Sequence, residues 1–276
     1  MTEPRPSSHP FDEALRLNRP DPADPGRLRG RTRPEWANMV GPFGGITAAT
    51  LLRAVEGHPD RIGEPLALTV NYTAPIADGE FDIAVRAART NRTNQHWIIE
   101  QTQDGSVTAT ATAVLAIRRD TWSDIEATIP EVPGPDDTPA GGLGDFIAWA
   151  RQYDMRFVQG PVPGEGARPA DSSTTTLWMR HQVRRRLDFA ALAAMCDVFY
   201  PRIFLRRGAV VRAGTVSLTS YFHADQAQLE AVGDDYVLGS ARANAFGRGH
   251  SDQSARLWSR DGALLAATHQ VVHFKD

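Results

Sequence analysis

The feature that most constrains this chain is that it carries one pattern twice. Asp104-Gly105 is followed by "SVTATATAVLAIR", and Asp261-Gly262 by "ALLAATHQVVHFK". An Asp-Gly pair between alternating apolar runs marks a hairpin turn. Working backwards from each turn gives the same order. In copy one, "MVGPFGGITAATLLRAVEG" is helical, opened by Gly44-Gly45 and closed by Gly57. Then come the strands "EPLALTVNYTAPI", "EFDIAVRAART", "NQHWIIEQTQ" and "SVTATATAVLAIR". In copy two, "DFAALAAMCDVFYPRIFL" is helical in composition, "AGTVSLTSYFHA" is a strand, and the remaining segments lead to the last hairpin. "MRFVQG" and "TTTLWMRHQ" supply copy two with a leading strand pair. One helix followed by long antiparallel strands predicts an α+β fold: two antiparallel sheets, each wrapped around a central helix. The Pro/Gly/Asp-rich stretch 129–144 predicts a linker between an N-terminal unit, 1–128, and a C-terminal unit, 145–276.

The two turns lie 157 residues apart, whereas Tyr72 and Tyr221, placed opposite each other in the first strands, lie 149 apart. The difference predicts an eight-residue insertion in copy two, near "DQAQLEAVGDD". Insertions in surface loops cost little. The Ala/Thr alternation at 108–113 fits a strand packed closely on a helix, because small side chains let the layers approach.

Aligned this way, the copies differ in chemistry at three places. The first is in the last strand. Ala109, Ala111, Ala113, Leu115 and Ile117 share one face in copy one, and the matching face in copy two is Ala266, Thr268, Gln270, Val272 and Phe274. Gln270 therefore points inward in place of Ala113. An inward amide needs partners or costs about 1–3 kcal/mol. In the first strand, Leu66, Leu68, Val70 and Tyr72 become Thr215, Ser217, Thr219 and Tyr221: an apolar face becomes a hydroxyl face. Val216, Leu218 and Phe222 make the opposite face apolar as well, so alternation alone leaves the direction of Thr215 open. In the helix, Gly45 falls opposite Asp197, where a carboxylate would be stabilised by the free amides of a helix N-terminus. Pro201 must then lie in the first turn or bend the helix. Three polar residues at core-like positions of one copy, Asp197, Thr215 and Gln270, suggest a catalytic site.

At these residues the sequence resembles the acyl-CoA thioesterase II family, the double-hotdog thioesterases. The resemblance spans nearly the whole chain. It runs through "PFGGITAATLLRAV", "NYTAPI" and "LWMR", then "CDVFYP", "GTVSLTSYFHA" and "DGALLAATHQ". Cys196 stands where a Ser is common in the family, and Phe43 where a His often precedes the Gly-Gly pair. The resemblance implies a double hotdog and hydrolysis of an acyl-CoA thioester by a water that Asp197, Thr215 and Gln270 orient, with no cofactor. Gly44 and Gly45 would offer backbone amides to the carbonyl oxygen; a tight helix–sheet contact explains the glycines equally well. Phe199 and Tyr221 are candidates for the acyl slot, with Tyr200, Phe204, Leu205 and Phe222 beside them. Arg184–Arg186 and Arg206-Arg207 are available to CoA phosphates.

Two other readings stay open: a hydratase or dehydratase acting on acyl thioesters, and a non-catalytic binding protein for acyl-CoA or acyl carriers. Composition narrows the partners. With a net charge of −3 there is no broad basic surface, which argues against nucleic acid. No apolar run reaches the roughly 20 residues that span a bilayer, and the start of the chain lacks the apolar core of a signal peptide. The single cysteine, Cys196, excludes an intrachain disulfide; a cytoplasmic protein is expected. The histidines show no metal-ligand spacing, so no metal is expected. Exposed sheet edges predict a homodimer or larger homo-oligomer.

Overall fold

The computed structural model describes residues 9–142 and 147–275; residues 1–8 of the N-terminal unit, the end of the expected linker at 143–144, the start of the C-terminal unit at 145–146, and residue 276 lie outside them. The first half contains helix α1 (Pro10–Ala14), strand β1 (Arg27–Arg31), helix α2 (Gly44–Glu56), and strands β2 (Glu64–Tyr72), β3 (Glu80–Thr90), β4 (Asn94–Gln103) and β5 (Ser106–Ala116). The second half contains β6 (Tyr153–Gln159), β7 (Thr175–His181), the helices α3 (Phe189–Met195) and α4 (Ile203–Arg207), and then β8 (Ala213–Phe222). It closes with α5 (Gln226–Val232), β9 (Val237–Arg242), β10 (Phe246–Gly247), β11 (His250–Ser259) and β12 (Leu264–Phe274). β6 and β7 pair antiparallel, the leading strand pair of copy two. Among the described residues no helix is long and apolar enough to cross a membrane.

The two sheets are joined edge to edge. β2 pairs with β8, which gives one antiparallel sheet in the order β1-β3-β4-β5-β2-β8-β12-β11-β9-β7-β6, with β10 paired to β11. Thr69 faces Thr219 across this seam, and their hydroxyl oxygens lie 3.0 Å apart. The sheet thus uses one edge of each copy internally; the remaining edges are β1 and β6.

Strand register corrects the predicted alignment. Leu68 faces Ala113, and Leu218 faces Gln270. Leu68 and Leu218 are therefore equivalent and lie 150 residues apart, so Tyr72 matches Phe222 rather than Tyr221. Both central strands carry a bulge at the same place, at Leu66 in β2 and at Val216 in β8. A bulge adds one residue and reverses the alternation beyond it. Leu66 is for this reason 39% exposed instead of buried, and its counterpart Val216 is 41% exposed. The expected hydroxyl face does not exist as a unit. Leu218, Ser220 and Phe222 point inward, and the bulge alone turns Thr215 to the same side. The turns differ too. Asp104 and Gly105 both have positive φ and form a two-residue turn, whereas β11 and β12 are joined by four residues in which Gly262 has positive φ.

Inside the sheet the helices α2 and α3 run antiparallel. At one end Arg53 donates to Asp188, the N-cap of α3, at 2.9 Å. At the other end Gly45 abuts the Ala194 carbonyl so closely that a Cβ would sit 2.5 Å from its oxygen. Gly45 and the Ala-rich α3 let the two backbones touch. Their fully buried neighbours, Ala48, Leu51, Leu52, Ala190, Ala191 and Leu192, fill the centre of one hydrophobic core that runs through both copies. α3 has 7 residues against 13 in α2. It ends at Met195 with Cys196 as its C-cap, six residues before Pro201, which would itself bar a longer helix.

Candidate active site

The early end of α3 is what creates the site. Asp197 is the residue after the C-cap Cys196, not the start of a helix as the sequence alignment suggests. It still meets a helix N-terminus, but that of the other copy: the backbone amide of Gly45 lowers the pKa of its carboxyl. The antiparallel packing of α2 and α3 places the electropositive end of one helix against the acid that follows the other. Gly44 is needed for the same approach, since a Cβ there would lie 2.6 Å from Asp197 Oδ2. The Tyr72 hydroxyl donates to the Gly44 carbonyl at 2.8 Å and holds the turn.

Gln270 projects from β12 beneath this end. Its Nε2 donates to Asp197 Oδ1 at 2.8 Å and approaches the Cys196 carbonyl at 3.5 Å. Its Oε1 accepts from Thr215 Oγ1 at 3.3 Å. The three predicted residues, far apart along the chain, form one line of hydrogen bonds. Thr215 takes part only because of the bulge at Val216.

The carboxylate is 8% exposed. Burial pushes the Asp197 carboxyl up to about 7, against the opposing effect of the bonds from Gln270 and the Gly45 amide. Cys196, next to it, is fully buried, and burial pushes its thiol up to about 12, so it is no thiolate nucleophile at neutral pH.

The three residues open onto a cleft with about 550 Å³ of empty space, partly open to solvent. Its apolar wall includes Phe43, Trp149, Phe199, Phe204 and Val272. Phe43 stacks on Trp149 with ring centres 4.1 Å apart. Phe199 lines this cleft. Tyr221 does not: it sits on the outer face of β8, 52% exposed, one residue out of register with the inward set. Tyr200 and Phe204 line the cleft, while Leu205 and Phe222 pack elsewhere in the core. Arg184 and Arg185 are held by Asp234, and by Asp12 and Asp188, respectively.

Two buried residues beside the site went unnoticed in the sequence. Gln253 on β11 faces Gln270 across the hairpin and lines the cleft. Arg202 is fully buried behind it. Counting the same number of residues back from the Asp261-Gly262 turn as Gln270 lies forward gives Gln253, so the hairpin itself held the signal.

A helix from each copy enclosed by one long antiparallel sheet, with polar groups gathered where the helix ends meet, defines a double hotdog. Residues 32–116 match the acyl-CoA thioesterase N-terminal domain and residues 126–274 the acyl-CoA thioesterase C-terminal domain. The chain belongs to the acyl-CoA thioesterase family. It is similar to a hotdog-fold protein of unknown function from Alicyclobacillus acidocaldarius, with 44% identity, a TM-score of 0.92, and coverage of 98% of this chain and 99% of that one. It shares the fold of the tesB protein of Mycobacterium avium subsp. paratuberculosis, at 19% identity and a TM-score of 0.76, over 96% of this chain and 98% of that one. It also shares the fold of the acyl-CoA thioesterase II TesB2 from Mycobacterium marinum, at 18% identity and a TM-score of 0.73, with the same coverages. No curated protein matches the chain.

Proposed function

We propose that this protein hydrolyses an acyl-CoA thioester to a free acid and CoA, with Asp197 as general base. The observation that carries the reading is the line of hydrogen bonds Thr215–Gln270–Asp197 at the mouth of an apolar cleft. The proton directions fit. The Thr215 hydroxyl gives its hydrogen to Gln270, so its oxygen is free to accept. Asp197 accepts from Gln270 and retains lone pairs. A water held between Thr215 Oγ1 and the Asp197 carboxylate donates both its hydrogens and leaves a lone pair for the thioester carbonyl. Asp197 takes a proton as the carbon–oxygen bond forms. Collapse of the tetrahedral adduct breaks the carbon–sulfur bond, and the proton passes to the departing CoA sulfur. A carboxyl that titrates near 7 suits both halves of this exchange. The Phe199 wall receives the acyl chain.

A hydratase or dehydratase would call for a histidine with an acid at the cleft, and its polar lining is Asn38, Asp197, Thr215, Gln253 and Gln270, with Tyr200 alongside. The substrate of this reading is a CoA ester, and the cytoplasmic location and homo-oligomer expected from the sequence stand beside it as proposals of their own. The test is thiol release from a panel of acyl-CoA esters. Asp197→Asn is expected to lower kcat by about 1000-fold with an unchanged circular dichroism spectrum. In the wild type kcat should rise with pH to a plateau above about 7, where the carboxylate is ionised. Saturable acyl-CoA binding without turnover would replace this reading with that of a binding protein.

A further inference from the structure

The mechanism above leaves the carbonyl oxygen of the substrate without a donor. The Gly45 amide sits at the Asp197 carboxylate and lowers its pKa, and Gln270 gives its amide hydrogens to Asp197 and the Cys196 carbonyl. Gln253 is the remaining buried amide of the cleft, 2% exposed and opposite Gln270 in the sheet.

Its orientation is fixed by Arg202. Arg202 Nε donates to Gln253 Oε1 at 3.1 Å. A guanidinium has donors only, so the amide oxygen must face it and the NH2 group must face away. On that side one N–H finds the Phe199 carbonyl at 3.4 Å, longer than an ordinary N–H···O bond. Among the described residues the other N–H has no acceptor. Phe199 lies two residues beyond Asp197, so the amide reaches the segment that carries the base.

Arg202 itself is hard to explain as packing. It is fully buried, stacks on the Tyr200 ring at 4.2 Å, and donates to the Tyr200 and Ser173 carbonyls. Among the described residues no carboxylate pairs with it. A buried cation without a counter-ion is costly, and burial lowers its pKa to about 10. Copy one handles the equivalent place without any of this: Trp97, which faces Ala113, fills it.

Resting on the thioesterase reading, we infer that Gln253 donates its free N–H to the acyl carbonyl oxygen of the substrate, and that Arg202 is the positioning residue that holds the amide that way round. When water attacks, the carbonyl electron pair moves onto oxygen and meets this N–H; it returns as the carbon–sulfur bond breaks. A preorganised donor of this kind acts most strongly on the transition state, so its loss falls on kcat.

Two variants test it. Gln253→Glu keeps an acceptor for Arg202 and removes the donor; Gln253→Met removes the donor with no added charge. Each is expected to lower kcat about 100-fold, with KM within threefold and the melting temperature within a few degrees of wild type. Arg202→Met should lower kcat about tenfold alone and have no further effect on Gln253→Met. In the Asp197→Asn background, the infrared stretch of a bound ¹³C=O acyl-CoA should move to higher wavenumber when Gln253→Met is added. If wild-type protein releases thiol while both Gln253 variants keep kcat within threefold, or if the carbonyl stretch does not move, the inference is overturned and the thioesterase reading stands. Absence of hydrolysis in the wild type would overturn the reading itself.

Discussion

Copy one and copy two place the same backbone around opposite contents. Ala113 and Gln270 occupy one register position, each facing the leucine of the central strand, Leu68 or Leu218. Beside them Trp97 stands where Gln253 stands. Pro65 precedes the bulge in β2 and Thr215 the bulge in β8. In copy one these positions are filled: Trp97 is 1% exposed, its Nε1 bonds to Gln95, and Leu115 is fully buried. In copy two the bulky ring is replaced by an amide, α3 stops short, and the vacated space becomes the cleft. On the proposed reading, one copy supplies rigidity and a helix end, and the other supplies the reactive groups. Polar groups in a core cost stability and must hold one another in place, which is affordable when a second, fully packed copy shares the same core.

If that division is right, the largest stability effect lies in copy one. Trp97→Ala should cost about 3–5 kcal/mol in urea denaturation while leaving kcat unchanged below the melting transition. Equal losses of activity and stability would show that the copies do not divide the work. Gln270→Ala places copy one's residue in copy two. It should lower kcat about 100-fold, because Asp197 loses a donor and Thr215 loses the acceptor that fixes its proton. A change under threefold would remove Gln270 from the site.

Asp197 sharpens the comparison through pH. Its carboxyl titrates near 7 in the fold and near 4 unfolded. The contribution of the protonated group to stability is therefore complete below about pH 4 and is lost as the pH rises to about 7. Asp197→Asn removes that loss. The variant should match wild type at pH 4 and exceed it by about 4 kcal/mol at pH 8, as read from denaturation midpoints. A gain that is constant with pH would point to packing rather than ionisation. The smallest effect belongs to the seam: Thr69→Val should cost under about 1 kcal/mol, since one part-buried hydroxyl pair is lost.

Much of this was legible in the chain. The helix from Gly44 to its cap at Gly57, the order of strands and the inward amide at Gln270 follow from periodicity and turn chemistry. The direction of Thr215 did not, because a bulge inserts one residue with no local sequence mark, and every side chain beyond it changes face. Tyr221 was placed inside for the same reason. Arg202 has no signature until its burial is seen, and Gln253 has one only through its place opposite Gln270 across the Asp261-Gly262 hairpin.

Local periodicity alone is enough to set out two helix-and-strand units and to turn the amide of Gln270 inward in copy two. Which helix end meets Asp197 is set by packing. That contact arises from antiparallel packing of α2 against a shortened α3, between residues some 150 positions apart, and no local pattern encodes a pairing over that distance.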